Sequence, residues 1–332
     1  MHEEIPAQLF LSCLNLIVNL NYASIDLRVH SLTNQLYEEV GGLVSFHEDS
    51  DTISSFMCYL KVLLYVDNSI IFPLIDRISE FFHSYLSINN EINIYSLQGY
   101  CKCLEIQPYT IHHLIRTQQI YFILENLLNP NPEVTIEVMK FITIILTKCD
   151  NEIKCSIPIN FEQWSILSQS ESHEIKELFC LYTKLIINSN WMLIIPMYTA
   201  NVFHCLLNII TCDTYFKLKK LAIEPLLIAL EQFDTEQIEE IISVEFIDTC
   251  FDLINSCDEQ MNLQIVKCFK YLLCVGMNGK IISKIYSAEL VEKLNDALDL
   301  LKNSDVEEVR YEAMNLSQKI FKVCDEIDEE SY

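Results

Sequence analysis

The chain is expected to fold as an all-α superhelix built from repeated helical hairpins, and three observations lead there. Hydrophobic residues make up 51% of its 332 residues, while only 5 are Gly and 8 are Pro. That is too few turn-formers for a many-stranded sheet and enough for helices joined by short loops. Apolar residues recur with helical period in one stretch after another. A junction pattern also returns at a nearly constant step. A compact core usually stops growing below this length, so two domains or an elongated array are the alternatives, and the repetition favours the array.

The stretch from Ser243 to Val275 shows one complete unit. Phe246, Ile247, Cys250, Phe251 and Ile254 form one 3.6-period stripe, and Ile265, Val266, Phe269, Leu272 and Leu273 form a second. Between them Asn255, Ser256, Cys257 and Asp258 carry the short polar side chains that stop one helix and cap the next.

Taken in order, the chain opens with an apolar helix from Ile5 to Leu20, expected to cap the array, with Pro6 tolerated in its first turn. From there a junction made of a turn residue, then a polar residue two places on, then an apolar one begins at Thr33, Ile75, Thr117, Pro158, Thr199, Ser243 and Ser287, in steps of 41 to 44. A second frame comes from helix breaks at Asp51, Asn90, Pro132, Ser172, Asp213, Asp258 and Asp305. Each break supplies what a helix start needs, as where Asn131 can cap and Pro132 fills the first turn. The helices after the breaks carry stripes such as Val134, Val138, Phe141 and Ile145, or Val306, Val309, Ala313, Leu316, Ile320 and Val323.

Helical units of this length resemble the armadillo/HEAT superfamily, whose repeats are longer than tetratricopeptide or ankyrin units. The match is strongest from Ile242 to Val323, where Asp305-Val306-Glu307-Glu308-Val309-Arg310-Tyr311-Glu312-Ala313 looks like the start of an armadillo third helix. Thr110 to Arg116 and Lys280 to Ile285 look like the small first helices of three-helix armadillo units, which HEAT units usually lack. The resemblance implies a right-handed α-α superhelix of about seven units. Residues 1–324 would then form a single domain, with 325–332 as an acidic tail. The asparagine with which importin-like and catenin-like arrays clamp a peptide falls here on Lys319 and Ile228, so that clamp has no counterpart.

The formal net charge is −25: 14 acidic against 5 basic residues in 1–130, 12 against 8 in 131–235, and 21 against 9 in 236–332. Phosphate tracks need clustered Lys and Arg, so nucleic-acid binding is not expected. Lys217, Lys219 and Lys220 read as a solvated helix face. The 14 cysteines contain no CxxC, and several, including Cys58, Cys180, Cys250 and Cys268, sit inside apolar stripes as small hydrophobes, so no metal site is expected. The N-terminus MHEEIPAQLF is acidic where a signal peptide would be basic, which points to the cytoplasm or nucleus. Leu185 to Cys212 lacks charged residues, but Asn188, Ser189, Asn190, Pro196 and Asn201 interrupt it and fit two helices and a loop better than a membrane span.

No Gly-rich phosphate loop, HExxH or GxSxG pattern is present, and no cofactor or catalytic site is expected. The His112-His113 pair is the main suggestive cluster, yet adjacent helical residues point about 100° apart. What remains is the inner face of the array. There Glu308, Glu312, Asn315 and Lys319 form one polar stripe, the candidate protein-binding residues for a basic or amide-rich peptide. The expected function is a non-catalytic scaffold or adaptor that binds a partner protein or peptide, with a regulatory subunit of a kinase or phosphatase, or a karyopherin-like transport factor, as alternatives.

Overall fold

The computed structural model describes residues 6–45, 49–88, 91–254, 259–275 and 288–330. The chain is helical almost throughout and divides into two compact units, residues 1–159 and 160–332. The expected cap between Asn255 and Asp258 and the expected short helix Lys280 to Ile285 lie outside the described residues.

In the first unit, α1 (Ala7–Ala23) is followed by three-helix repeats. The first is α2 (Ile25–Thr33), α3 (Leu36–Val44) and α4 (Ser50–Leu63). The second is α5 (Asn68–Ile71), α6 (Ile75–Ser84) and α7 (Ile94–Ile106), and the third is α8 (Ile111–Arg116), α9 (Gln119–Glu125) and α10 (Pro132–Lys148). The fourth repeat begins with α11 (Asn151–Ser156) and continues in the second unit with α12 (Phe161–Ile166) and α13 (His173–Ser189). Next come α14 (Ile194–Thr199), α15 (Val202–Cys212) and α16 (Phe216–Leu230), then α17 (Thr235–Ile241), α18 (Val244–Ile254) and α19 (Glu259–Val275). The last described helices are α20 (Ala288–Leu301) and α21 (Glu307–Glu330), so residues 325–330 continue the final helix. One antiparallel pair of two-residue strands, β1 (Ser87–Ile88) and β2 (Glu91–Ile92), joins α6 to α7; the sequence reading contains no strand there.

Third helices pack on third helices, α4 on α7 and α7 on α10 in the first unit, where α1 also packs on α4, and α13 on α16, α16 on α19 and α19 on α21 in the second. The stripes read from the sequence form the cores. Phe246, Ile247, Cys250, Phe251 and Ile254 of α18 are buried, as are Ile265, Val266, Phe269, Leu272 and Leu273 of α19. Val306 departs from its stripe and is 40% exposed, because it lies ahead of the first turn of α21. Cys58 is only half-buried, whereas Cys180, Cys250 and Cys268 are buried.

Two of the expected helix breaks move by a few residues, for a capping reason. The side chain of Asp49, not Asp51, accepts from the Thr52 N–H to start α4, and Asn93 accepts from Ser96 to start α7. Asn131 and Ser172 cap α10 and α13 where the breaks were expected.

Five of the six described junctions take one of two backbone solutions; at Ile75 the chain instead passes from a 3-10 turn directly into α6, with Leu74 right-handed and no side-chain cap. Gln35, Gln118 and Asn201, ahead of α3, α9 and α15, adopt left-handed φ of 55°, 61° and 61°. At the Pro158 and Ser243 junctions Asn160 and Ser243 instead cap α12 and α18 through their side chains. The uncharged stretch flagged for membrane crossing turns by 77° at the left-handed Asn201. Among the described residues no single helix is long and apolar enough to cross a membrane. Two bent helix pairs pass by length and composition only when taken together.

Helix α7 approaches α6 so closely that a Cβ at Gly99 would lie 2.1 Å from a ring carbon of the fully buried Phe82. Gly99→Ala is therefore expected to lose about 1–3 kcal/mol, measured by urea unfolding. At the exposed Gln118, a β-branched residue meets the left-handed backbone at its worst. Gln118→Val is expected to cost about 1–2 kcal/mol and Gln118→Gly nothing, in the same assay.

Candidate protein-binding face on the third helices

Buried positions on one side of the third helices leave a partly exposed strip on the other, and on α4 and α7, α13 and α16, and α19 and α21 polar side chains of the strip are cross-linked from one repeat to the next. In the first unit Lys61 of α4 donates to Gln98 Oε1 of α7 at 2.7 Å and sits 5.3 Å from the centre of the Tyr95 ring. Lys102 of α7 reaches back to within 5.6 Å of the centre of the Tyr65 ring. Two lysines and two tyrosines thus interlock between neighbouring repeats, Lys61 over the ring of Tyr95 in α7 and Lys102 over that of Tyr65 in the turn after α4. Tyr65 is 55% and Tyr95 38% exposed, so the rings present their remaining surface outward.

In the second unit the rungs are ionic. Lys184 pairs with Glu224, and Lys217 with Glu177 at 2.6 Å. Lys267 pairs with Glu308, and Lys270 with Glu312, each at 2.7 Å. Lys319 Nζ donates to Cys274 Sγ. The four residues singled out in the sequence therefore share one strip of α21, and three of them are tied to α19, with Asn315 half-buried between them. The Glu308 side chain is 58% exposed and that of Glu312 14%, so Glu308 offers most of the carboxylate surface.

Solved structures of similar fold combine high coverage with low identity. A crystal structure of an engineered protein from a structural genomics consortium matches 86% of this chain and 68% of its own, with a TM-score of 0.66 and 17% identity. A designed armadillo repeat protein in complex with the peptide (KR)4 matches 73% of this chain and 98% of its own, with a TM-score of 0.56 and 17% identity. A computationally designed armadillo repeat protein for modular peptide recognition matches 68% and 93%, with a TM-score of 0.54 and 18% identity. The fold is the armadillo-type helical repeat. No protein-family model and no curated protein matches the sequence.

In these armadillo-type repeats Lys balances or exceeds Asp and Glu on the third helices α13, α16 and α19, whereas α21 carries eight acidic against three basic residues. Acidic residues also gather at Glu245, Asp248 and Asp252 of α18 and at Glu292, Asp296 and Asp299 of α20, with Lys293 between Asp248 and Asp252. The tyrosine and lysine platform of the first unit is absent from the sequence reading. Its signal was there, as Lys61 and Tyr65 at i, i+4 and as Tyr95, Gln98 and Lys102 at i, i+3, i+7.

Histidines and carboxylates meet in an open cleft of about 240 Å³ in the first unit, lined by Asp76, Glu80, Tyr109, His112, His113 and Arg116. His112 and His113 diverge as expected for helical neighbours. His112 packs on Tyr109 with ring centres 4.6 Å apart, and His113 on His83 at 4.1 Å. Thr117 Oγ1 gives its hydrogen to the His113 carbonyl, so His83 Nε2 donates to Thr117 Oγ1 at 2.9 Å. No carboxylate orients either ring of this pair among the hydrogen bonds of the described residues, and the groups do not assemble a nucleophile with its base. Nor do three His, Cys, Asp or Glu side chains among the described residues converge to hold a metal ion.

Burial, then the neighbouring His113, holds the His83 pKa below 6.5. The unfolded chain therefore binds the proton first as pH falls, and stability conferred by the neutral ring is complete above pH 6.5 and declines below it. Urea midpoints from pH 8 to pH 5 are expected to fall less steeply in His83→Gln than in the unaltered protein.

Proposed function

We propose that this chain is a non-catalytic scaffold or adaptor, acting in the cytoplasm or nucleus, that binds an extended segment of a partner protein along its third-helix strips. The observation that carries this reading is the cross-linked strip itself. Rings, amides and carboxylates that could contact a peptide are held in place by partners one repeat away, so little side-chain entropy remains to be lost on binding. The interlocked Lys61, Tyr65, Tyr95, Gln98 and Lys102 supply planar and donor groups in the first unit. Glu308, Glu312, Asn315 and Lys319 supply a mixed polar strip in the second. A designed armadillo repeat protein in complex with the peptide (KR)4 supports the reading by analogy.

Affinity capture from cell extract, with partners identified by mass, tests it. One protein is expected in stoichiometric amount, reduced about tenfold or more by Tyr65→Ser with Tyr95→Ser, or by Glu308→Lys with Asn315→Ala. Unchanged capture by both folded variants would remove the third-helix strips as the binding site. Salt-sensitive recovery of many basic proteins would point instead to a carrier of basic cargo.

A further inference from the structure

Basic residues are scarce in the first part of the chain, and most of them meet at one place. Residues 1–130 hold 14 acidic and only 5 basic side chains, Arg28, Lys61, Arg77, Lys102 and Arg116. Three of the five gather around Tyr65. Arg28 Nη1 donates to its carbonyl at 2.6 Å, Lys102 Nζ lies 5.6 Å from the centre of its ring, and Lys61 stands one helical turn before it. Lys102 has Glu105 as its partner. Arg28 and Lys61 are held by neutral groups instead, Arg28 by the carbonyls of Ser24 and Tyr65, and Lys61 by the Gln98 amide and the Tyr95 ring. Asp67, two residues after Tyr65, is engaged at the start of α5, where it accepts from the Ser69 N–H and hydroxyl. Among the described residues, two cations of this platform thus have no carboxylate partner in a region otherwise dominated by acids.

Charge and ring chemistry select the occupant. Each tyrosine ring carries a lysine over one face, so a second cation approaching the other face meets the field of the first, whereas a carboxylate is drawn to it. Both tyrosines are exposed, and a phenol O–H donates readily to a carboxylate. The cations are spread over a helical turn, about 6 Å, and the one guanidinium is committed to a backbone carbonyl. That spacing matches separate carboxylates along a chain better than a single phosphate, which favours a bidentate arginine. Three cations in a chain of net charge −25 form no track for nucleic acid.

Resting on the reading of the third-helix strips as a peptide-binding face, we propose that the first-unit platform takes an acidic segment of a partner protein. Carboxylates of the segment pair with Arg28 and Lys61, and a proline or aromatic side chain beside them covers the open faces of Tyr65 and Tyr95. This is the opposite of the partner that the net charge of the chain would suggest.

Selection of random dodecapeptides displayed on phage, panned on the full chain at about 50 mM salt, tests it. The recovered peptides are expected to be rich in Asp and Glu beside Pro or aromatic residues. A synthetic copy of the strongest is expected to bind about tenfold more weakly to Arg28→Gln with Lys61→Gln, and several-fold more weakly at about 200 mM salt. Lys61→Gln alone leaves the Arg28 bond to the Tyr65 carbonyl in place and is expected to weaken binding about threefold with unchanged circular dichroism. Peptides that are not acidic, yet are lost in Tyr65→Ser with Tyr95→Ser, overturn the acidic occupant and leave the strip standing as a binding face. Acidic peptides that bind all these variants alike overturn the site. A single-stranded oligonucleotide bound more tightly than any peptide, and released by the same lysine and arginine changes, overturns the proposal in favour of nucleic acid. Recovery of no peptide at all overturns both this proposal and the wider reading of the strips.

Discussion

Within each unit the described third helices bury apolar residues on two sides, one against their own repeat and the other against the third helix of an adjoining repeat. α7 shows the arrangement in full, burying Leu97, Tyr100 and Leu104 while it packs on α6 and lies between α4 and α10. Such helices are stable as members of a row and not singly. The near-constant repeat length follows, because a row of helices keeps its spacing only if each hairpin returns the chain to the same place. The close approach at Gly99, where Phe82 fills the space a side chain would occupy, shows how little tolerance that spacing leaves.

The same constraint places the polar groups. Once third helices stand side by side, side chains on their exposed edges meet those of the equivalent helix one repeat away, which is why bonded partners such as Lys61 and Gln98, or Lys270 and Glu312, lie about one repeat apart in sequence. These rungs are partly exposed, and each contributes modestly to stability. Their larger effect is to fix the orientation of the groups that a partner would meet. At α1 the row has α4 on one flank, and the apolar line of Leu9, Leu16 and Leu20 faces solvent.

Junction chemistry shows how one positional requirement is met in different ways. Ahead of α3, α9 and α15 a single left-handed residue reverses the chain, while ahead of α12 and α18 a side-chain cap does so. The sequence pattern is shared, but the backbone is not. A turn residue followed by a polar one is compatible with both solutions.

The armadillo-type fold and its repeat frame were legible in the residues, because helical periodicity and helix-start chemistry are local properties that stay within a few residues of chain. The buried stripes of α18 and α19 and the caps at Asn131 and Ser172 follow from that local signal. The strip on α21 could be read as a strip for the same reason. That its glutamates are held by Lys267 and Lys270, and that Tyr65, Tyr95, Lys61 and Lys102 interlock, was decided by tertiary structure alone. Those partners come from helices a whole repeat away, and side-chain reach across that gap depends on how the helices are spaced and rotated against one another, which no stretch of sequence encodes by itself.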